Sequence, residues 1–129
     1  MDDMLGVADE VGVDVMWRDL GRRRGEYRAA PALITLNPNM SMLLQRCTLA
    51  HELGHHANGD TWTDDPKVLA LRERRADAYA AALLIDPYDY ARAEALYGAH
   101  AGAIARELGV SVSIVHAWQA HASSTRRTA

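Results

Sequence analysis

An α+β fold is what this 129-residue chain predicts. Short strand-like runs crowd residues 13–36, segments with apolar residues at helical spacing fill most of the later chain, and Gly, Pro and Asn punctuate the boundaries. Residues 4–11 read as a short first helix, with Leu5, Ala8 and Val11 on one side and Gly12 as its stop. Val13-Asp14-Val15-Met16-Trp17 alternates apolar and polar, the period of a half-buried strand. Gly21 and Gly25 bracket an arginine-rich turn, and Glu26-Tyr27-Arg28 forms a second short strand. The clearest strand is Ala32-Leu33-Ile34-Thr35-Leu36, entered after Pro31 and ended by Asn37-Pro38-Asn39. Ser41 then caps a helix over residues 42–57, with Leu43, Cys47, Ala50 and Gly54 as one stripe. Asn58-Gly59-Asp60 closes it with a pair suited to a left-handed cap. A polar loop over residues 61–66 leads to a second amphipathic helix, apolar at Ala76, Ala80, Leu83 and Leu84, that ends at Asp86-Pro87.

Composition sets the limits. The length suits one domain with a real core, and the shares of 49% hydrophobic and 24% charged residues are ordinary for a globular chain. A net charge of −3 gives no general attraction to nucleic acid or anionic membrane. The single cysteine excludes an internal disulfide and fits a reducing compartment. Met1-Asp2-Asp3-Met4 is acidic and opens no long apolar run, so no signal peptide is expected. No segment has the apolar length of a membrane span. The expected setting is cytoplasmic.

The chemistry gathers at His51-Glu52-Leu53-Gly54-His55. Residues four apart share a helix face, so both imidazoles can converge on one ion. Glu52 sits one step round, able to reach a water on that ion but badly placed to ligate it. This is the H-E-x-x-H spacing of zinc peptidases, with the glutamate as general base. A catalytic zinc needs a third protein ligand, and Glu73 on the later helix is the candidate. Asp77, four residues on, shares its face and would accept the free ring N–H of a ligating histidine. The plainer alternative makes Glu73 and Asp77 part of a solvated face with Arg72, Arg74 and Arg75 as neighbours. His56 faces about 100° away from His55 and does not share the ion. Cys47, one turn before His51, reads as a small core residue. Tyr27, Tyr88, Tyr90, His100 and His116 are all conceivable donors to a developing oxyanion, and spacing does not choose among them.

The run Ala50-His51-Glu52-Leu53-Gly54-His55-His56, followed by Glu73-x-x-Ala76-Asp77-x-Tyr79-Ala80-x-x-Leu83-Leu84-Ile85-x-Pro87, resembles the ImmA/IrrE family of metallopeptidases. The likeness covers most of residues 10–120. It implies a minimal zincin-like domain, in which a three-stranded β-meander packs on the HExxH helix and a second helix. It implies Zn2+ held by His51, His55 and Glu73, Glu52 as catalytic residue, and an intracellular peptidase, often carried by phages or mobile elements, that acts on helix-turn-helix repressors. Tyr79 stands where members commonly have phenylalanine, and Ile85-Asp86-Pro87 where they have Met-Pro, which leaves the substrate details open.

The last third carries a separate signal. Residues 103–111 followed by Val115 and Trp118 resemble a helix-turn-helix, with a glycine turn at Gly109 and a cap at Ser111. DNA binding through residues 103–119, helped by Arg22-Arg23-Arg24 on phosphates, is one reading. The second helix offers Ser113, His116, Gln119 and His121 but no Arg or Lys before residue 126, a poor set for guanine and phosphate, so a structural or partner-docking pair is favoured. The expected organisation is a zincin-like core over residues 1–87, a helical extension over 88–122 and a disordered tail over 123–129. Function divides between a zinc endopeptidase that inactivates a repressor and a non-catalytic regulator or antitoxin-like partner retaining the scaffold. Glu52 favours the first, since a binding module has no need of a base beside the metal.

Overall fold

A computed structural model describes the backbone of residues 1–128 and the side chains of residues 1–123. Three strands and six helices run in the order α1 (Asp2–Glu10), β1 (Asp14–Trp17), β2 (Gly25–Arg28), β3 (Leu33–Leu36), α2 (Met42–Ala57), α3 (Pro66–Leu84), α4 (Pro87–Tyr97), α5 (Ala101–Leu108) and α6 (Val112–Thr128). The architecture is α+β, as the sequence predicts.

Local chemistry sets the helix ends. Ser41 Oγ accepts from the Leu44 amide at 3.2 Å and starts α2. Gly59, at φ +68°, turns the chain out of that helix in the left-handed region. Asp65 caps α3 by accepting from the Lys67 amide at 2.9 Å, with Pro66 at the first helical position, where a missing N–H costs nothing. Asp86 and Pro87 repeat the device for α4, Asp86 accepting from the Tyr88 amide at 2.8 Å. The dipeptide that ends α3 therefore also begins a helix, at the boundary where the sequence places the start of a helical extension. The disordered tail expected over residues 123–129 falls, beyond residue 123, outside the fully described residues.

The sheet has three strands, but they do not form the expected meander. β3 lies in the middle, parallel to β1 (Val15 opposite Ile34) and antiparallel to β2 (Tyr27 opposite Ile34). Apolar content explains the order. β3 has the fully buried Ile34 and Leu36 and takes the position paired on both sides. The arginine-bearing β2 takes an edge, where charged side chains reach water.

One face of the sheet packs on α2. Trp17 Nε1 donates to Gln45 Oε1 at 2.9 Å, and Tyr27 meets His56. The buried stripe of α2 is Cys47, Ala50 and Gly54 together with the wholly buried Leu49 and Leu53; Leu43, expected in that stripe, is 40% exposed. A continuous hydrophobic cluster joins Met4 and Ala8 of α1, the sheet, α2, Ala80 and Ala81 of α3, and Ile104, Ile114 and Val115 of α5 and α6. The helical pair at the end of the chain thus buries its apolar face against the rest of the domain.

Candidate metal centre

α2 brings His51 and His55 onto one face, their rings edge to face with centroids 4.9 Å apart. Their approach to Glu73 depends on a close contact between α2 and α3. A Cβ on Gly54 would stand 2.9 Å from Ala76 Cα and 3.0 Å from Ala76 O. Only hydrogen at position 54 lets α3 lie this near, and Ala76 is fully buried at the crossing. One turn earlier on α3, the Glu73 carboxylate reaches both rings. Its Oε2 is 2.9 Å from His51 Nε2 and its Oε1 3.0 Å from His55 Nε2. Donor atoms of these three residues all lie within 4.8 Å of one another, close enough to bind one metal ion.

The far nitrogens are held as well. His51 Nδ1 lies 2.8 Å from Asp77 Oδ1, and His55 Nδ1 lies 2.8 Å from Asp60 Oδ2. Each Nδ1–H donated to a carboxylate leaves the Nε2 lone pair free, which is the tautomer a metal requires. Two Nε2 atoms and one carboxylate, each imidazole backed by a second carboxylate, fit zinc as a donor set. Asp77 was legible from its spacing to Glu73; Asp60 was not. It sits just after the Gly59 turn, with its amide donating to the His55 carbonyl at 3.0 Å, while Arg72 Nε approaches its Oδ1 at 3.5 Å and the Arg72 guanidinium also donates to the Thr61 carbonyl. The glycine turn shortly after His55 was the signal that could have found it.

Charge reflects this crowding. Burial alone would lower the His51 pKa, but hydrogen bonds to Asp77 and Glu73 push it up to about 10. His55 is raised too, because Glu73 and Asp60 outweigh its burial. Hydrogen bonds from the two imidazoles hold Glu73 well below the usual carboxylate range. The carboxylates thus create a demand for positive charge at the Nε2 atoms, which protons or a divalent cation can meet. Glu52 is 7% exposed, and burial raises its carboxyl above the ordinary value against the pull of the nearby imidazoles.

Glu52 stands where two cavities meet. One of about 390 Å³ is lined by Arg23, Gly25, Cys47, His51, Glu52 and the start of α6 at Ser111 and Ser113. The other, about 510 Å³, includes Tyr27, Arg28, Glu52, His55, Trp62 and Glu73. β2 borders both. A Cβ on Gly25 would lie 2.7 Å from Thr48 Cγ2 and 3.5 Å from Glu52 Cγ, so glycine lets this strand pass directly over α2. Cys47 is buried and stands outside the set of possible metal donors. His56 stands outside that set too, its Nδ1 2.8 Å from Tyr27 Oη. Of the five possible oxyanion donors, Tyr27 borders a cavity beside the imidazoles. Tyr90 instead packs on Trp118 with centroids 5.6 Å apart, His100 caps α5, and Tyr88 and His116 are exposed.

Comparison with known proteins agrees with this geometry. No curated protein matches the chain. A family model described as the IrrE N-terminal-like domain, peptidase family M78, matches residues 8–117, a span that contains the three strands, both histidines, Glu52, Glu73 and the supporting carboxylates. The chain belongs to the IrrE N-terminal-like family of M78 peptidases.

Proposed function

We propose that the protein is a zinc-dependent intracellular endopeptidase that inactivates a helix-turn-helix repressor, with His51, His55 and Glu73 as ligands and Glu52 as general base. The observation that carries the reading is a buried carboxyl, Glu52, between two cavities and beside two imidazoles whose Nε2 atoms converge on Glu73. When bound, zinc supplies Lewis-acid polarisation of a carbonyl and acidifies a water. Everything else falls to the chain. Asp77 and Asp60 orient the rings. The Glu52 carboxylate takes the proton of the attacking water and returns it to the leaving amine. Burial raises the basicity of that carboxylate and so favours the first transfer. The free edge of β2 offers a template on which a peptide can lie as an added strand across both cavities.

A repressor as substrate rests on the ImmA/IrrE resemblance, and the intracellular setting on the lone buried cysteine. No helix among the described residues is long and apolar enough to cross a membrane. The terminal helical pair serves this reading as structure. Ile114 and Val115 of α6 are buried, Gln119 donates to Tyr90 Oη at 3.2 Å, and Ser111 and Ser113 line a cavity beside His51. The exposed face of α6 keeps, among the described residues, Ser113, His116 and His121, a set with no Arg or Lys for phosphate contact.

The test is incubation of the zinc-loaded protein with repressors encoded beside its own gene. Discrete fragments are expected from the wild type. Glu52→Gln should keep its zinc and lose roughly 100- to 10,000-fold in cleavage rate, the range that general acid–base catalysis supplies. Unchanged cleavage by a zinc-loaded Glu52→Gln protein would refute the assignment.

A further inference from the structure

The edge strand carries charge for which metal-assisted hydrolysis has no use. The Asn37 amide donates to the Arg24 carbonyl at 2.9 Å, so Arg24 joins the β2–β3 ladder just ahead of Gly25. Antiparallel alternation then turns the backbone polar groups of Arg24, Glu26 and Arg28 toward β3 and those of Gly25 and Tyr27 toward the free edge. The side chains alternate likewise. Gly25 lies against Thr48 and Glu52 and Tyr27 against His56, so alternation sets Arg24, Glu26 and Arg28 on the other face, while as edge residues Arg24 and Arg28 also border the cavities beside His51 and His55.

Glu26 on that face is already neutralised, by Arg18 at 3.1 Å and Arg23 at 2.5 Å. Arg24 and Arg28 are exposed and, among the described residues, have no ion pair. The carboxylates of Asp60, Glu73 and Asp77 are each held by an imidazole and cannot serve these arginines. In a chain of net charge −3, residues 18–28 thus gather Arg18, Arg22, Arg23, Arg24 and Arg28 against Asp19 and Glu26 alone. The excess cations flank the strand that spans the cleft.

We infer that Arg24 and Arg28 select the substrate: a segment lying extended along β2 is preferred when it carries acidic side chains at the two positions that face these guanidiniums. The positions are four residues apart, about 13 Å along a strand. Residues opposite Gly25 and Tyr27 would project toward α2 and the metal centre, so the acidic positions alternate with those nearest the chemistry. Opposite charges directly across a strand pair each favour binding by about two- to fivefold, and two such pairs by roughly tenfold. The inference rests on the peptidase reading for what happens to the segment, and its test separates binding from cleavage.

Three fluorescein-labelled peptides share an apolar centre and carry Glu, Gln or Lys at alternate positions on both sides, which makes the result independent of register. Affinity is read by anisotropy on zinc-loaded Glu52→Gln protein, and cleavage by mass spectrometry on the wild type. The Glu peptide should bind roughly tenfold tighter than the Gln peptide, with the preference shrinking as salt screens it. Arg24→Glu/Arg28→Glu should invert the order to favour Lys, with zinc content and thermal stability unchanged. Arg22→Glu, in the turn outside the strand, should leave the order intact. Equal affinities, an order untouched by the double reversal, or no binding of any peptide would each overturn the inference. Charge-ordered binding without cleavage by the wild type would sustain it while removing the peptidase reading; cleavage without charge order would do the reverse.

Discussion

His51 and His55 are each gripped at both ring nitrogens by carboxylates, and that symmetry defines the site at the scale of single residues. The Nε2 atoms share Glu73, while Asp77 and Asp60 take one Nδ1 each. The outer carboxylates fix the tautomer and raise the basicity of the rings, effects worth roughly 10- to 100-fold in metal affinity. Asp60→Asn and Asp77→Asn should each weaken zinc binding by about that factor, as measured by competition with a chelating dye, and leave the secondary structure intact. Wild-type affinity in both variants would mean that the rings are oriented by packing alone. Much of this was legible in the sequence, because His51, His55, Glu73 and Asp77 stand at helical spacings that fix which side chains share a face. Asp60 and the Tyr27–His56 pair were hidden for a common reason. Their partners are chosen by a glycine turn and by the seating of a sheet on a helix, neither of which leaves a periodic trace.

Among the elements, the crossing of α2 and α3 governs whether Glu73 reaches its partners. Gly54 faces Ala76, and any side chain there meets backbone rather than a yielding side-chain tip. Alanine would suit the helix better by about 0.5–1 kcal/mol, yet overpacking a tight contact costs about 1–3 kcal/mol. Gly54→Ala should therefore lower stability in urea denaturation and weaken zinc binding as well, since Glu73 lies one turn from the displaced contact. Equal stability and equal affinity would show that the crossing has slack. α2 was legible in the sequence with its observed bounds because Ser41 and Asn58-Gly59 state them in capping chemistry. Strand order was not, since alternation marks a strand without naming its neighbours. The greater apolar content of β3 was the available clue that it sits in the middle. Helix was expected over residues 88–122, but α4 was not set apart from the pair that follows, because Asp86-Pro87 reads as a terminator before it reads as a cap.

For the molecule as a whole, the metal centre ties together parts that the core already joins. α2, the turn after it and α3 supply its donors and their supports, and the two helices belong with α5 and α6 to one hydrophobic cluster. An ion bound only by this folded arrangement must stabilise it, by about 2.7 kcal/mol at one hundred times the dissociation constant. Zinc titration combined with thermal unfolding, on the wild type and Glu73→Gln, tests the central claim most directly. The wild type should bind about one zinc per chain and unfold several degrees higher with it, whereas Glu73→Gln should lose most of both effects. Wild-type stoichiometry, affinity and stabilisation in Glu73→Gln would contradict the assignment of that carboxylate as the third ligand.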